Sequence, residues 1–142
     1  MDGETLPQDG SSRSRGVLAA DVEAGGGVTL RFLVTQLADL EEPGELHAEQ
    51  MERIVEVWDE DQRTVLLGNL NAPGGTPATD VVTQAGFLDG WAYAGEPPGF
   101  TYPADGPQQR VDWIFHTDDL RVYNAEVVDA GGSDHRAVAA TV

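Results

Sequence analysis

The stretch "LLGNLNAPGGTPA", residues 66–78, decides how the rest of the chain is read. An apolar run climbs to Leu67 and breaks at Gly68, and two asparagines follow one residue apart, Asn69 and Asn71. Pro73, two glycines and a Thr76-Pro77 pair come next. Thr76 is a good N-cap with Pro77 at the first helical position, so a helix over 77–85 is expected, closed by Gly86. The pattern describes a buried strand whose end opens into a loop and then a helix, which is where binding sites are built. A phosphate or metal site at such a place would be expected to carry a carboxylate, and this loop has none.

The surrounding chain has 142 residues, the length of one domain, and its 40% apolar content is enough for a core. No cysteine is present, which excludes disulfides and thiol chemistry. Twenty-five acidic residues against eight basic ones, all arginine, give a net charge of −17. A field of that sign repels nucleic acid phosphates unless cations intervene, so tight unaided binding to duplex DNA is disfavoured. The N-terminal segment is polar and acidic, unlike a secretory signal, and no apolar run is long enough to span a bilayer. A cytoplasmic protein without a membrane span is the expectation.

Residues 1–15 read as a polar tail or loop, and strands are expected over 16–24 and 28–37. Residues 45–61 make an amphipathic helix with Leu46, Met51, Ile54, Val55 and Trp58 on one face. In that helix His47 reads as a surface or edge residue. A strand follows over 63–70, then the helix over 77–85, then a long Gly- and Pro-rich loop over 86–109. Such a loop is often functional. Strands over 110–117, 120–128 and 135–142 complete the chain. Hairpin-like strands mixed with two covering helices predict a layered α/β (α+β) fold with a mixed or antiparallel sheet, not a doubly wound one.

The strongest chemical signal is "GSDHRAV", residues 132–138. His135 is a candidate general base or phosphoryl ligand, and it works best with a carboxylate fixing its other ring nitrogen. Asp112, inside the apolar strand "RVDWIF" (110–115), is the candidate for that partner; Arg110 and Arg121 compete for the same carboxylate. Ser133-Asp134-His135 is equally compatible with a simple turn carrying a solvated histidine. His116 reads as structural, and Trp58, Trp91 and Trp113 as packing residues, with Trp91 the one placed to line a cleft.

In order, "VTQL" (34–37), "GNLNA" (68–72), "GFTYP" (99–103), "RVDWIF" and "SDHRAV" resemble the successive motifs of the endonuclease/exonuclease/phosphatase superfamily, the deoxyribonuclease-I-like fold. The resemblance runs from about Gly16 to Val142 and implies the C-terminal half of such a domain: half of a four-layer αββα sandwich. It implies hydrolysis of a phosphodiester or phosphomonoester with Mg2+ or Mn2+. His135 then contacts the scissile phosphate and assists the attacking water, Asp112 orients it, Asp134 is associated with the metal, and Asn71 donates to the phosphate. No role carries over to Thr101 or Tyr102. Two catalytic positions depart from the pattern. Asn69 stands where the family has an aspartate, and Gln36 where it has a histidine. An amide cannot accept a proton as a carboxylate does. The family's first half, with its chief metal-binding glutamate, has no counterpart here, so weak metal binding is expected. Glu41, Glu42, Glu49 and Glu56 do not replace it.

Two functions follow as expectations. One is a phosphoesterase, weakened or inactive as this chain. The other is a non-catalytic remnant or one part of a split protein, whose apolar sheet face needs a complementary half or self-association.

Overall fold

The computed structural model describes residues 1–8, 10, 13–39, 44–58, 60 and 62–142. The chain runs β1 (Asp2–Thr5), β2 (Gly16–Glu23), β3 (Thr29–Gln36), α1 (Glu45–Glu56), β4 (Thr64–Asn69), α2 (Pro77–Gln84), β5 (Leu88–Asp89), α3 (Gly90–Ala94), β6 (Asp112–His116), β7 (Asn124–Val128) and β8 (Ala137–Thr141). Six strands form one sheet in the order β1-β2-β3-β4-β6-β5, and β7 and β8 pair separately. Only β3 and β4 run parallel, joined by a crossover through α1. The expected layered α/β fold, a mixed sheet covered by two helices, is what forms.

Period-two patterning sorts the sheet into two faces. Val17, Leu33, Leu66, Trp113 and Phe115 point one way and meet Met51 and Ile54 of α1 and Ala78 and Val82 of α2 in a single buried cluster. The cross-strand register puts Leu18, Val22, Phe32, Val34, Leu67 and Ile114 on the opposite face. Three of these are substantially exposed: Leu18 at 41%, Val22 at 47% and Val34 at 40%.

Gly68 fixes how closely β3 and β4 approach. Its φ is +152°, and a Cβ there would sit 1.8 Å from the carbonyl oxygen of Thr35. No other residue fits without parting the strands. The contact lies one residue before Asn69.

Several expectations need correction. The expected tail over 1–15 contains a strand: β1 pairs antiparallel with β2, and Leu6 is buried. Its side chains are polar because an edge strand is held by backbone hydrogen bonds, which leave no hydrophobic alternation to read. The long loop over 86–109 is partly ordered by β5 and α3. α1 ends at Glu56 with Val57 as its C-cap, short of 61; Asp59 and Asp61, like Glu41 and Glu42 of the expected acidic loop, lie outside the described residues.

The buried face of α1 also differs. His47 and Gln50 are fully buried with Met51 and Ile54, whereas Leu46, Val55 and Trp58 are only partly covered. The polar pair satisfies a turn's backbone. Gln50 Oε1 accepts from the Ala38 N–H at 2.8 Å, and Gln50 Nε2 donates to the Pro7 carbonyl at 2.7 Å. His47 Nδ1 accepts from the Gly44 N–H, and Nε2 donates to the Ala38 carbonyl at 2.9 Å. Desolvation lowers the His47 pKa below its ordinary value, against the opposing pull of that carbonyl, and favours the neutral ring this pairing requires.

Candidate functional site

The site is laid out by strand register. Gln36 pairs with Asn69 across β3 and β4, and Asn69 pairs with Asp112 across β4 and β6. Three motif residues far apart in sequence therefore stand level, on the uncovered face, where the ends of β3 and β4 meet the start of β6. His135 completes the row from the segment before β8. Its Nδ1 lies 2.8 Å from Asp112 Oδ2, with both side chains about one-fifth exposed. The competition for the Asp112 carboxylate is thereby resolved. Arg110 pairs instead with Asp89, at 2.6 and 3.2 Å, and its guanidinium lies 3.8 Å from the Trp113 ring centroid.

A carboxylate against Nδ1 selects the proton-bearing form of that nitrogen and leaves Nε2 facing away. No hydrogen bond is made by Nε2 among the described residues. The Tyr102 ring packs against the imidazole, centroids 4.7 Å apart, and limits its rotation. Backbone bonds fix the segment itself: Ser133 Oγ accepts from the His135 N–H, and the Asp134 carbonyl accepts from the Ala104 N–H at 2.7 Å.

The loop after β4 is held as tightly. Asn69 Oδ1 accepts from the Asn71 N–H at 2.8 Å. Asn71 adopts φ +47°, a left-handed conformation that asparagine tolerates. Its Nδ2 donates to the carbonyls of Leu37 and Ala38, each at 3.1 Å. Both amide hydrogens are thus spent on the turn that follows β3. Asn71 stands at the site, but in this arrangement it clamps two loops together, and donation to a phosphate requires exchanging one of those bonds.

Thr101, to which the motif resemblance assigns no role, is a structural tie of the site. It is fully buried. Its Oγ1 accepts from the N–H groups of Val111 and Asp112, its own N–H donates to the Gln109 carbonyl, and its carbonyl accepts from the Arg136 N–H. One residue therefore ties the strand carrying Asp112 to the segment carrying His135. The signal available was its place in an ordered motif, "GFTYP"; its hydrogen bonds are long-range and have no local signature.

Asp134 is exposed and lines a shallow acidic cleft with Asp105, Asp129 and Arg136. Among the described residues no group of three or more His, Cys, Asp or Glu side chains is placed to hold a metal ion. Among the described residues, then, Asp134 has no companions of the kind a hard cation demands. His116 is buried, its Nδ1 donating to the Thr117 carbonyl at 2.8 Å, as a structural histidine. Trp58 packs on Phe87 and Trp113 on Phe115, while Trp91 lines a cleft beside the site.

Sequence comparison identifies the fold's lineage. The model of the Endonuclease/Exonuclease/phosphatase family matches residues 12–135. The chain belongs to this family. Solved members of the endonuclease/exonuclease/phosphatase fold superpose on nearly all of it. A family protein from Beutenbergia cavernae is 20% identical with a TM-score of 0.77, covering 97% of this chain and 43% of its own. A mannosyl-6-phosphatase from Bacteroides thetaiotaomicron is 15% identical with a TM-score of 0.74, covering 91% and 58%. The human Nocturnin catalytic domain is 13% identical with a TM-score of 0.72, covering 99% and 59%. The chain thus spans roughly half the length of these structures, from 43% to 59%. No curated protein sequence matches significantly. No helix among the described residues is long and apolar enough to cross a membrane.

Replacing Thr101 with valine keeps the volume and strands the buried Val111 N–H and the part-buried Asp112 N–H. The expected result is a loss of about 1–3 kcal/mol in urea unfolding, with Thr101→Ser losing far less. A valine variant as stable as the unaltered chain would remove Thr101 from its place as the tie between the two segments.

Proposed function

We propose that this chain handles a phosphate ester at the row Gln36–Asn69–Asp112–His135, as a phosphoesterase whose hydrolytic step is weakened. The observation that carries it is the His135–Asp112 pair at 2.8 Å, placed level with the asparagine loop by sheet register. Held by Asp112 at Nδ1, His135 presents Nε2 to the opening. Neutral, Nε2 takes a proton from an attacking water; protonated, it donates to a phosphoryl oxygen. The family relationship supports phosphoric ester hydrolysis, and a mannosyl-6-phosphatase among the structural neighbours is of that class.

The weakening is argued from two substitutions and one shortage. Asn69 cannot accept a proton or contribute negative charge, and Gln36 cannot act as an acid. The family is generally divalent-metal dependent, and Mg2+ or Mn2+ in such a site neutralises charge on the phosphate. The described residues of this chain do not by themselves form a cation site. There is also a local reason for an amide at 69. It stands directly across from Asp112, and a carboxylate there without a cation would place like charges on paired residues.

The test is hydrolysis of bis-p-nitrophenyl phosphate with magnesium or manganese, before and after Asn69→Asp. Restoring the carboxylate is expected to raise turnover by roughly 100-fold or more, the scale of one general base, and His135→Ala to abolish the gain. No turnover above background in either form would contradict an enzymatic role for this chain.

A second reading is favoured by the uncovered sheet face, where Leu18, Val22 and Val34 stay 40–47% exposed beside part-buried Phe32 and Leu67. An apolar surface of that kind is normally covered. On this reading a complementary polypeptide or a second copy completes the layer. Light scattering across a concentration series is expected to show self-association of the isolated chain. A strictly monomeric, fully folded chain would count against it.

A further inference from the structure

Beside the phosphate row lies a cleft of about 370 Å³, within the range of small-molecule sites. Pro73, Trp91, Pro97, Phe100, Gln109 and Arg110 line it. Three of these stand two residues from a site residue along the chain: Pro73 from Asn71, Phe100 from Tyr102, and Arg110 from Asp112. Asn71 and Asp112 belong to the site, and the Tyr102 ring packs on His135. Two residues of chain span at most about 7 Å, so the cleft's rim and the site share neighbouring stretches of backbone.

Its chemistry is uncharged in effect. Asp89 and Arg110 neutralise each other through two hydrogen bonds, and Trp113 covers the guanidinium at 3.8 Å. Neither is left to bind a second phosphate. What remains is a shelf of aromatic and proline surface with the side-chain amides of Gln108 and Gln109, which make no hydrogen bond among the described residues. The indole is held in place: a Cβ at Gly95 or Gly99 would come within 2.4 Å of the Trp91 ring. Both glycines therefore let the 95–99 turn close onto it, so the aromatic wall is built before any ligand arrives.

We propose that this cleft takes the leaving group of the ester, and that the group is an uncharged planar ring bearing polar edges. The assignment rests on the phosphate reading of the adjacent row. Trp91 and Phe100 supply the stacking surface, and the glutamine amides reach the ring's edge. Polyanionic alcohols, such as an alcohol carrying further phosphates, are disfavoured by the lack of a free cation in the cleft and by the net charge of −17.

Binding tests this without turnover. Amide and indole NMR shifts of the full chain are followed during titration with phenyl phosphate and with glycerol phosphate. Phenyl phosphate is expected to bind about tenfold tighter, the size of one stacking contact, and to shift the Trp91 indole, Phe100 and Gln109 together with His135. Phe100 is 37% exposed, so Phe100→Ala spares the fold and is expected to abolish the preference even where Trp91→Ala does not fold. Equal affinities, with shifts confined to the His135 side, overturn the cleft's role and leave the phosphate reading standing. Shifts at His135 by neither ester overturn both.

Discussion

The close approach of Gly68 to Thr35 is the constraint on which the rest depends. A backbone carbonyl occupies the space where any side chain at 68 would begin. With that contact made, β3 and β4 run parallel in one register, and Gln36 comes level with Asn69. β6 then pairs on the other side of β4 and brings Asp112 into line. Slipping either pairing by one residue would turn these side chains toward the helices and the apolar residues toward solvent. The same hydrophobic alternation that buries Leu33, Leu66 and Phe115 therefore aims the polar row outward.

The site that results is tightly positioned. His135 is held by a carboxylate, a ring and a backbone strap through Thr101, which is more restraint than a solvated turn histidine requires. Near it, Asn69 stands where the family resemblance implies an aspartate, and Gln36 where it implies a histidine. Among the described residues the histidine–aspartate pair has no cluster of three metal-ligating side chains around it, in a chain whose net charge is −17. Asn69 keeps the acceptor oxygen that a carboxylate would have offered to the Asn71 N–H, so the loop's shape survives the loss of charge.

Much of this was legible in the sequence, for reasons that differ by element. Strand β3 announces itself by alternation and β4 by a short apolar run that breaks at Gly68. Thr76-Pro77 and Gly86 bracket α2 as capping rules require. The row Gln36–Asn69–Asp112–His135 is legible in the sequence only because five short motifs occur in order; singly, each resembles a turn. What escaped were features decided by distant partners. His47 and Gln50 look like surface residues of α1, and they are buried because the turn at Ala38 needs their hydrogen bonds. β1 lacks hydrophobic alternation, and β2 supplies the edge it joins. Asn71 reads as a free donor, while the structure spends its amide on Leu37 and Ala38.

The central claim is that Asp112 holds His135 by Nδ1 and leaves Nε2 for the substrate. The most direct measurement is the imidazole nitrogen NMR spectrum of His135, taken at about pH 8, where an ordinary histidine is neutral. The account predicts the Nδ1–H tautomer, lost on Asp112→Asn, with Nε2 the nitrogen that shifts on adding inorganic phosphate. An Nε2–H tautomer that is indifferent to Asp112→Asn and to phosphate would contradict it.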